Sequence, residues 1–318
     1  MIGAPTCALL RPPPGEALDG RWWRFETPVE SLVATTLAEI PRLLERVERA
    51  SEGDLWAVGY VAYEAAPAFD PALATLQPSR GSIPGPLAAF SLFPPPQEVA
   101  PPRPGAAGAD RVALQPSLGE AAHAHAIAEI REAIAAGETY QVNFTFPLRG
   151  GFTGDPEVLF WHLAPASAAP HAAFLDCGGK AVVSLSPELF FSRQGDRLVM
   201  RPMKGTRRRG RFTAEDDRQA AELAGSPKER SENLMIVDMV RNDLGRIAAP
   251  GSVEVESLMA LERYPTVWQM TSTVAARTAA SLPEIFAALF PCASVTGAPK
   301  ARTMEWIARL ERRPRGIY

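Results

Sequence analysis

The strongest constraint on the fold is a pair of apolar runs, residues 182–192 and 197–204, separated by Gln194, Gly195 and Asp196. Apolar runs of this length favour strands, and a glycine in so short a connection allows a tight turn, so the segment reads as a β-hairpin. With the turn centred on Gly195, residues equally distant from it oppose each other: Lys204 opposes Ser186, and Glu188 opposes Pro202. Both ionisable side chains then share one face, about 7–8 Å apart at the backbone as diagonal neighbours. A slip of one residue would put them on opposite faces. The bland alternative is a lysine and a glutamate on a solvated strand face. Lys204 has an unusual setting, however. Gly205 and Thr206 follow it, and Arg201 and Arg207 flank it with positive charge that favours a neutral, nucleophilic amine.

Upstream, Trp22–Glu26 and residues 56–63 are strand-like, and residues 32–50 carry Leu and Ile at helical spacing. The stretch FPPPQEVAPPRPGAAGAD, residues 93–110, is dominated by Pro, Ala and Gly, which favours an extended connector. The expected organisation is an N-terminal lobe, residues 1–100, a connector, residues 101–115, and a C-terminal lobe, residues 116–318. In that second lobe residues 118–136 space Ile127, Ile130 and Ile134 as an amphipathic helix, which Gly137 ends before the strand-like YQVNFTF of residues 140–146.

Composition narrows the function classes. A net charge of -3 over 318 residues gives no basic field for nucleic acid or anionic membrane. The arginines at 207, 208, 209 and 211 cluster locally, but they lead into Glu215, Asp216 and Asp217 and read as a solvated or substrate-facing loop. Three cysteines, Cys7, Cys177 and Cys292, lie far apart and form neither a disulfide framework nor a zinc pattern. No signal peptide is evident, and no apolar run approaches the ~20 residues of a membrane span. A cytoplasmic protein is expected.

Two further segments carry chemistry. Pro227 sits near the start of a helix running to about residue 242, with Glu229 and Glu232 on one face and Leu234, Met235, Ile236, Val237, Met239 and Val240 around much of the rest. Such a helix is expected to be mostly buried. Buried carboxylates are costly unless paired or bound to a cation, and an all-oxygen set favours Mg²⁺ over zinc. The alternative pairs them with Lys228, Arg230 or Arg241. The second segment, CASVTGAPKARTMEWIARLE, is a loop entering a helix near Pro299, whose open amides suit an anion. It lacks the GK[ST] ending of a phosphate-binding P-loop. The four histidines, at 123, 125, 162 and 171, form no metalloprotease motif or recognisable triad.

Taken together, GETYQVNFT, SLSPE, RPMKGTRRRG, PKERSENLMIVDMVRNDLGR and ASVTGAPKART resemble, in order and spacing, the chorismate-utilising enzymes. That family includes anthranilate, aminodeoxychorismate, isochorismate and salicylate synthases. The match runs from about residue 121 onward, and GYVAYEAAPAFD extends it less distinctively into the first lobe. The resemblance implies an α+β fold with two large antiparallel sheets packed face to face and helices outside. It implies that Glu188 is the general acid/base near the departing 4-hydroxyl and that Glu229 and Glu232 help hold Mg²⁺. Thr206, Ser294, Gln141 and Tyr318 match substrate-contacting positions.

Two positions separate family members. Isochorismate and salicylate synthases have a water-activating lysine where this chain has Gln141, so ammonia is the expected nucleophile. Anthranilate synthases have Ala where this chain has Lys204. The resemblance therefore implies amination of chorismate to 4-amino-4-deoxychorismate, on the route to p-aminobenzoate and folate, with Lys204 as covalent nucleophile. It further implies a partner glutamine amidotransferase as the ammonia source. An anthranilate synthase large subunit and a non-catalytic chorismate-binding remnant are the alternatives. Gln269 stands where many relatives have His. The chain also stops at RGIY, where the family continues into a Gly-rich strand, a substrate-binding Arg and another Mg²⁺-binding Glu. A C-terminally incomplete lobe with little synthase activity is the expectation.

Overall fold

The computed structural model describes residues 2–13, 16, 20–76, 85–102 and 112–317. Tyr318 and the greater part of the proline-rich connector lie outside the described residues. Met1–Leu163, Ala172–Ser184 and Val295–Tyr318 form a first compact unit, and Ala164–His171 with Leu185–Ser294 a second.

The strands that lie wholly or mostly in the first unit include Cys7–Leu10 (β1), Trp22–Glu26 (β2), Glu30–Ala34 (β3), Trp56–Val61 (β4), Ala88–Phe93 (β5), Gln97–Val99 (β6), His171–Asp176 (β7) and Ala181–Ser186 (β8). They build a five-stranded sheet in the order β8-β7-β1-β2-β6 and a three-stranded sheet in the order β3-β5-β4. Phe25, Val58, Phe93 and Leu175 are buried together, with the Phe25 and Phe93 rings 5.7 Å apart. The expected helix over residues 32–50 begins later. Leu32 lies in β3, and a capping box between Thr36 and Glu39 precedes the helix Ile40–Ser51 (α1), which buries Ile40, Leu43, Leu44 and Val47 along one stripe. Glu120–Ala135 (α2) forms as expected, and Gly137, at φ +75°, ends it.

The two units do not follow the lobes expected from sequence. Residues 116–163 and 295–318 belong with the N-terminal residues. Strand pairing is the reason: β1 is flanked antiparallel by β2 and by β7, so the first sheet needs residues from both sides of the connector. Composition reports linkers, but it does not report which distant strands pair. The strand expected over residues 140–146 also shrinks, to Gln141 and Val142, which pair with Gly297 and Ala298. Asn143 still donates its N–H to the Thr296 carbonyl, but the partner segment then becomes a one-turn helix, Ala293–Val295, leaving residues 144–146 no strand to pair with. Gly297, at φ +145°, is obligatory here, because a Cβ would lie 1.9 Å from the Gln141 carbonyl oxygen.

The second unit holds Leu189–Gln194 (β9), Arg197–Arg201 (β10), Met203–Arg208 (β11), the helices Thr213–Gly225 (α3) and Pro227–Gly245 (α4), then Glu254–Arg263 (β12), Val267–Arg277 (β13) and the helix Leu282–Leu289 (α5). The run 182–192, expected as one strand, is split at Pro187, which has no amide to donate: β8 joins the first sheet and β9 the second. β10 and β11 lie end to end along one side of β13, in unbroken register from Arg197↔Arg277 to Met203↔Thr271, and β12 covers the other side. Ile236, Val237, Val240 and Leu244 of α4 pack with Leu198, Met200 and Val274 of the sheet and with Ile285 and Leu289 of α5. Each such side chain contributes about 1.5–3 kcal/mol on burial. The chain is thus α+β, with two five-stranded antiparallel sheets. Among the described residues no helix is long and apolar enough to cross a membrane.

Candidate functional site

Lys204 lies on β11, two residues after Pro202, whose carbonyl accepts the Ser272 N–H at 3.1 Å. Its ammonium donates to the Ser294 carbonyl at 3.1 Å. Its main chain is held from beneath by neutral groups. The Asn233 amide donates to the Lys204 carbonyl at 3.2 Å, Ser272 Oγ donates to Asn233 Oδ1 at 2.6 Å, and the Met259 N–H donates to Ser272 Oγ at 3.0 Å. Asn233 and Ser272 are both buried, so these bonds are shielded from competing water. The register of β11 shifts between Met203 and Thr206, at Gly205. That residue adopts φ +98°, and a Cβ there would meet Met270 Cβ at 3.1 Å and Glu229 Cβ at 3.3 Å. A glycine is therefore required for the strand and α4 to touch. The positive flank expected from Arg201 and Arg207 is largely offset, because each arginine is ion-paired, with Glu262 and Glu222 respectively.

Glu188 faces the lysine, as the hairpin reading required. Near the turn the pairing is Gln194↔Arg197, one step off the expected centre on Gly195. A bulge between Leu189 and Ser192 restores the expected register, so that Leu189 pairs with Arg201. Immediately before this, the Ser186 hydroxyl accepts the Glu188 N–H at 3.2 Å and fixes the turn through Pro187. Burial pushes the Glu188 carboxyl above the ordinary carboxylate range. The Ser294 hydroxyl, the charge of Lys204 and the Met203 N–H pull it back only in part. Glu188 Oε1 is buried with no hydrogen-bond partner. A buried acceptor left open next to an amine is the feature expected of a group that meets its partner only when a ligand is bound.

On α4, Ser226 caps the helix by accepting the Glu229 N–H at 3.4 Å. Glu229 and Glu232 share a face and are both partly buried, and Lys228 Nζ lies 3.9 Å from one carboxylate and 3.6 Å from the other. Of the alternative partners, Arg230 turns to the Ala224 carbonyl and Arg241 to Asp238. The helix is less buried than its composition suggested: Leu234 is 53% exposed. Among the described residues no third His, Cys, Asp or Glu joins these two into a metal-binding group. Two carboxylates nonetheless suit Mg²⁺, which keeps several waters and binds through one or two protein carboxylates plus oxygens of a substrate.

The other expected positions divide. Ser294 lies at the centre of the site: its carbonyl accepts from Lys204, and its hydroxyl is among the groups that pull the Glu188 carboxyl down. Thr206 pairs with Gln269 across the strands, and its hydroxyl donates to Gln269 Oε1 at 2.7 Å. Gln141 belongs to the first unit, where its Oε1 is buried without a partner. Tyr318 lies outside the described residues. The arginine cluster folds onto the acidic start of α3. Arg209 binds Asp216 through two nitrogens, at 2.7 and 2.5 Å, and lies 5.1 Å from the Trp268 ring, while Arg211 pairs with Glu215. With these bonds Asp216 sits well below the usual carboxylate range, chiefly through Arg209. Among the described residues the four histidines join no group of three or more side chains that could hold a metal ion. The His123 ring meets Phe146 edge-on, His125 pairs with Glu129, and His162 Nδ1 lies 2.8 Å from the Val158 carbonyl oxygen, while burial and then Arg201 hold His171 below its ordinary range.

Sequence reasoning missed Asn233, Ser272 and Cys292, the last with its thiol sulfur 3.0 Å from Ser294 Oγ. All three are neutral, so a search for charge and metal ligands passes over them. The one available signal was an asparagine in the otherwise apolar face of α4.

Known proteins share both the sequence and the fold. The chain is 48% identical over 195 residues to an aminodeoxychorismate synthase of Streptomyces pristinaespiralis, covering 60% of this chain and 27% of that protein. It is 41% identical over 192 residues to aminodeoxychorismate synthase component 1 of Escherichia coli K12, covering 60% of this chain and 42% of the relative. The chain thus spans less than half the length of these relatives. The crystal structure of anthranilate synthase component I from Streptococcus pneumoniae shares the fold, with a TM-score of 0.77 at 20% identity, covering 100% of this chain and 78% of that one. The chorismate binding enzyme family matches residues 18–318, nearly the whole sequence, and this chain belongs to that family.

Proposed function

We propose that this chain carries the chorismate-aminating part of an aminodeoxychorismate synthase, converting chorismate and ammonia to 4-amino-4-deoxychorismate and water. The observation that supports this most is the meeting of Lys204 and Glu188 at Ser294, an amine and an open, buried carboxyl group in one site. In the proposed sequence neutral Lys204 attacks C2 of chorismate. Glu188, whose carboxyl burial pushes above the ordinary carboxylate range, acts from its protonated form and gives its proton to the 4-hydroxyl, which leaves as water. The C2–N bond has formed and the C4–O bond has broken. The resulting carboxylate takes the extra proton from the lysine nitrogen. Ammonia then adds at C4 while the C2–N bond breaks, and Glu188 returns the proton to the departing lysine and accepts one from the new ammonium. Glu229 and Glu232 would hold Mg²⁺, which supplies positive charge for the substrate carboxylate. Thr206 and Ser294 are the proposed substrate contacts of the second unit, and Gln141 and Tyr318 are further ones by resemblance alone.

Ammonia is proposed to come from glutamine through a partner amidotransferase. The name component 1, carried by the E. coli relative, supports a second component. Cys7, Cys177 and Cys292 form no disulfide, which accords with the proposed cytoplasmic location. Incubation with chorismate, Mg²⁺ and ammonium, followed by mass spectrometry of the product, tests the reaction. The expected product is 4-amino-4-deoxychorismate; anthranilate in its place would assign the chain to the other synthase. With ammonia withheld, intact-protein mass is expected to rise by chorismate less water, and Lys204→Ala to abolish the adduct. Full 4-amination by Lys204→Ala would remove the lysine from the mechanism.

A further inference from the structure

Asn233 stands on the face of α4 that otherwise buries Ile236, Val237 and Val240, where an apolar side chain would add to the core and an amide is costly unless its bonds are met. They are met in only one way. A carbonyl has no proton to give, so the group facing the Lys204 carbonyl at 3.2 Å is Asn233 Nδ2, which leaves Oδ1 to accept the Ser272 hydroxyl proton at 2.6 Å. Ser272 Oγ, its one proton used, accepts the Met259 N–H at 3.0 Å. Each of the three bonds therefore has a single possible direction. Together they join two irregular places in the sheet. β11 shifts register between Met203 and Thr206, and β12 shifts between Ser257 and Ala260, where Met259 takes the left-handed φ of +57° that L-residues adopt at a cost. Ser272, on β13 between those two strands, links one bulge to the other through Asn233.

We propose that Asn233 is a positioning residue for Lys204, fixing the stretch of main chain from which the amine reaches the Ser294 carbonyl. At a bulge the ladder to the neighbouring strand is locally disrupted, so the chain around Lys204 lacks the regular pairing found elsewhere along β11. Gly205, at φ +98°, adds freedom that a residue with a side chain would not have. Asn233 supplies the missing constraint from α4. It also does so without charge, whereas an acidic or basic residue at 233 would alter how readily the nearby amine loses its proton.

Competitive acetylation of the folded chain with acetic anhydride reads how firmly the amine is held, with peptide mass comparing half-buried Lys204 against exposed Lys180. Asn233→Ala is expected to speed labelling of Lys204 by about two- to tenfold, the factor that one hydrogen bond puts on a local equilibrium. Ser272→Ala, which leaves the amide in place but frees Oδ1, is expected to move it the same way by less, and to add nothing in the Asn233→Ala background. Val240→Ala removes apolar volume from the same face of α4 and is expected to leave Lys204 labelling unchanged. Unchanged labelling in Asn233→Ala or, where that variant does not fold, in Ser272→Ala would overturn the proposal, as would an equal acceleration in Val240→Ala. The second measurement rests on the proposed lysine chemistry. With chorismate and without ammonia, Asn233→Ala is expected to slow adduct formation about 10²-fold, the cost of misplacing a reacting group by about 1 Å, at an unchanged chorismate Kd. Equal losses of binding and addition would make Asn233 a structural residue and overturn the proposal. No adduct in the unsubstituted chain would remove the lysine chemistry and leave the labelling result to decide the positioning.

Discussion

Glu188 shows how one residue can work against the fold that holds it. Its carboxyl is held above the usual range, so its contribution to stability is present below the ordinary glutamate range and lost as pH rises through the folded value. Glu188→Gln is expected to flatten the stability curve across that window and leave the protein no less stable at neutral pH, as denaturant titrations at several pH values would show. In the proposed reaction the same change is expected to lower turnover by about 10²–10⁴-fold, the usual contribution of a positioned acid. Undiminished stability with less activity is the mark of a group kept for chemistry. At this scale much of the site was legible. Lys204, Glu188 and Ser294 are chemically distinctive within recognisable motifs, and the hairpin placed the first two on one face. Asn233, Ser272 and Cys292 were not legible, because neutral hydrogen-bonding roles depend on neighbours that only the folded chain supplies.

Among the elements, β11 and α4 matter most, and their relation is set by the absence of a side chain at 205. Gly205→Ala adds a methyl group where 3.1–3.3 Å is left to Met270 and Glu229, at a φ that alanine avoids. The variant is expected to lose about 1–3 kcal/mol in chemical denaturation, with the strand or the helix displaced. Glu232→Gln is a contrasting case on the same helix. Its side chain is 34% exposed and its charge partner, Lys228, is 76% exposed, so stability is expected to change by about 0.5 kcal/mol or less. Mg²⁺-dependent chorismate binding is expected to weaken about tenfold or more, measured by calorimetry. Severe destabilisation with unchanged Mg²⁺ binding would make the Glu229/Glu232 face structural. Strands were legible where local pattern decides, as at Trp22–Glu26. They were misjudged where a distant partner decides, as at 140–146, or where a proline divides one apolar run between two sheets, as at Pro187.

For the molecule as a whole, the first unit depends on contacts between residues very far apart in sequence, which is why its composition did not reveal it. Arg315 binds both oxygens of Glu311 and donates to the carbonyls of Val295 and Asn143, with its guanidinium 4.6 Å from the Tyr63 ring. The ion pair is almost completely buried, each side chain 1% exposed. Arg315→Ala is expected to cost about 3–5 kcal/mol, because it leaves a carboxylate buried and unpaired. Hydrogen exchange should quicken around Tyr63–Ala68 and Asn143 before it quickens in the second unit; a loss below about 1 kcal/mol would show that the pair is not structural. Glu64, itself 1% exposed, accepts the backbone N–H groups of Arg315 and Gly316. This has a consequence for the order of events during translation. At about 5–20 residues per second, the partners of Glu64 leave the ribosome some ten seconds or more after it does. Until then the carboxylate must stay hydrated, so the unit that holds the earliest-made residues is the last that can close.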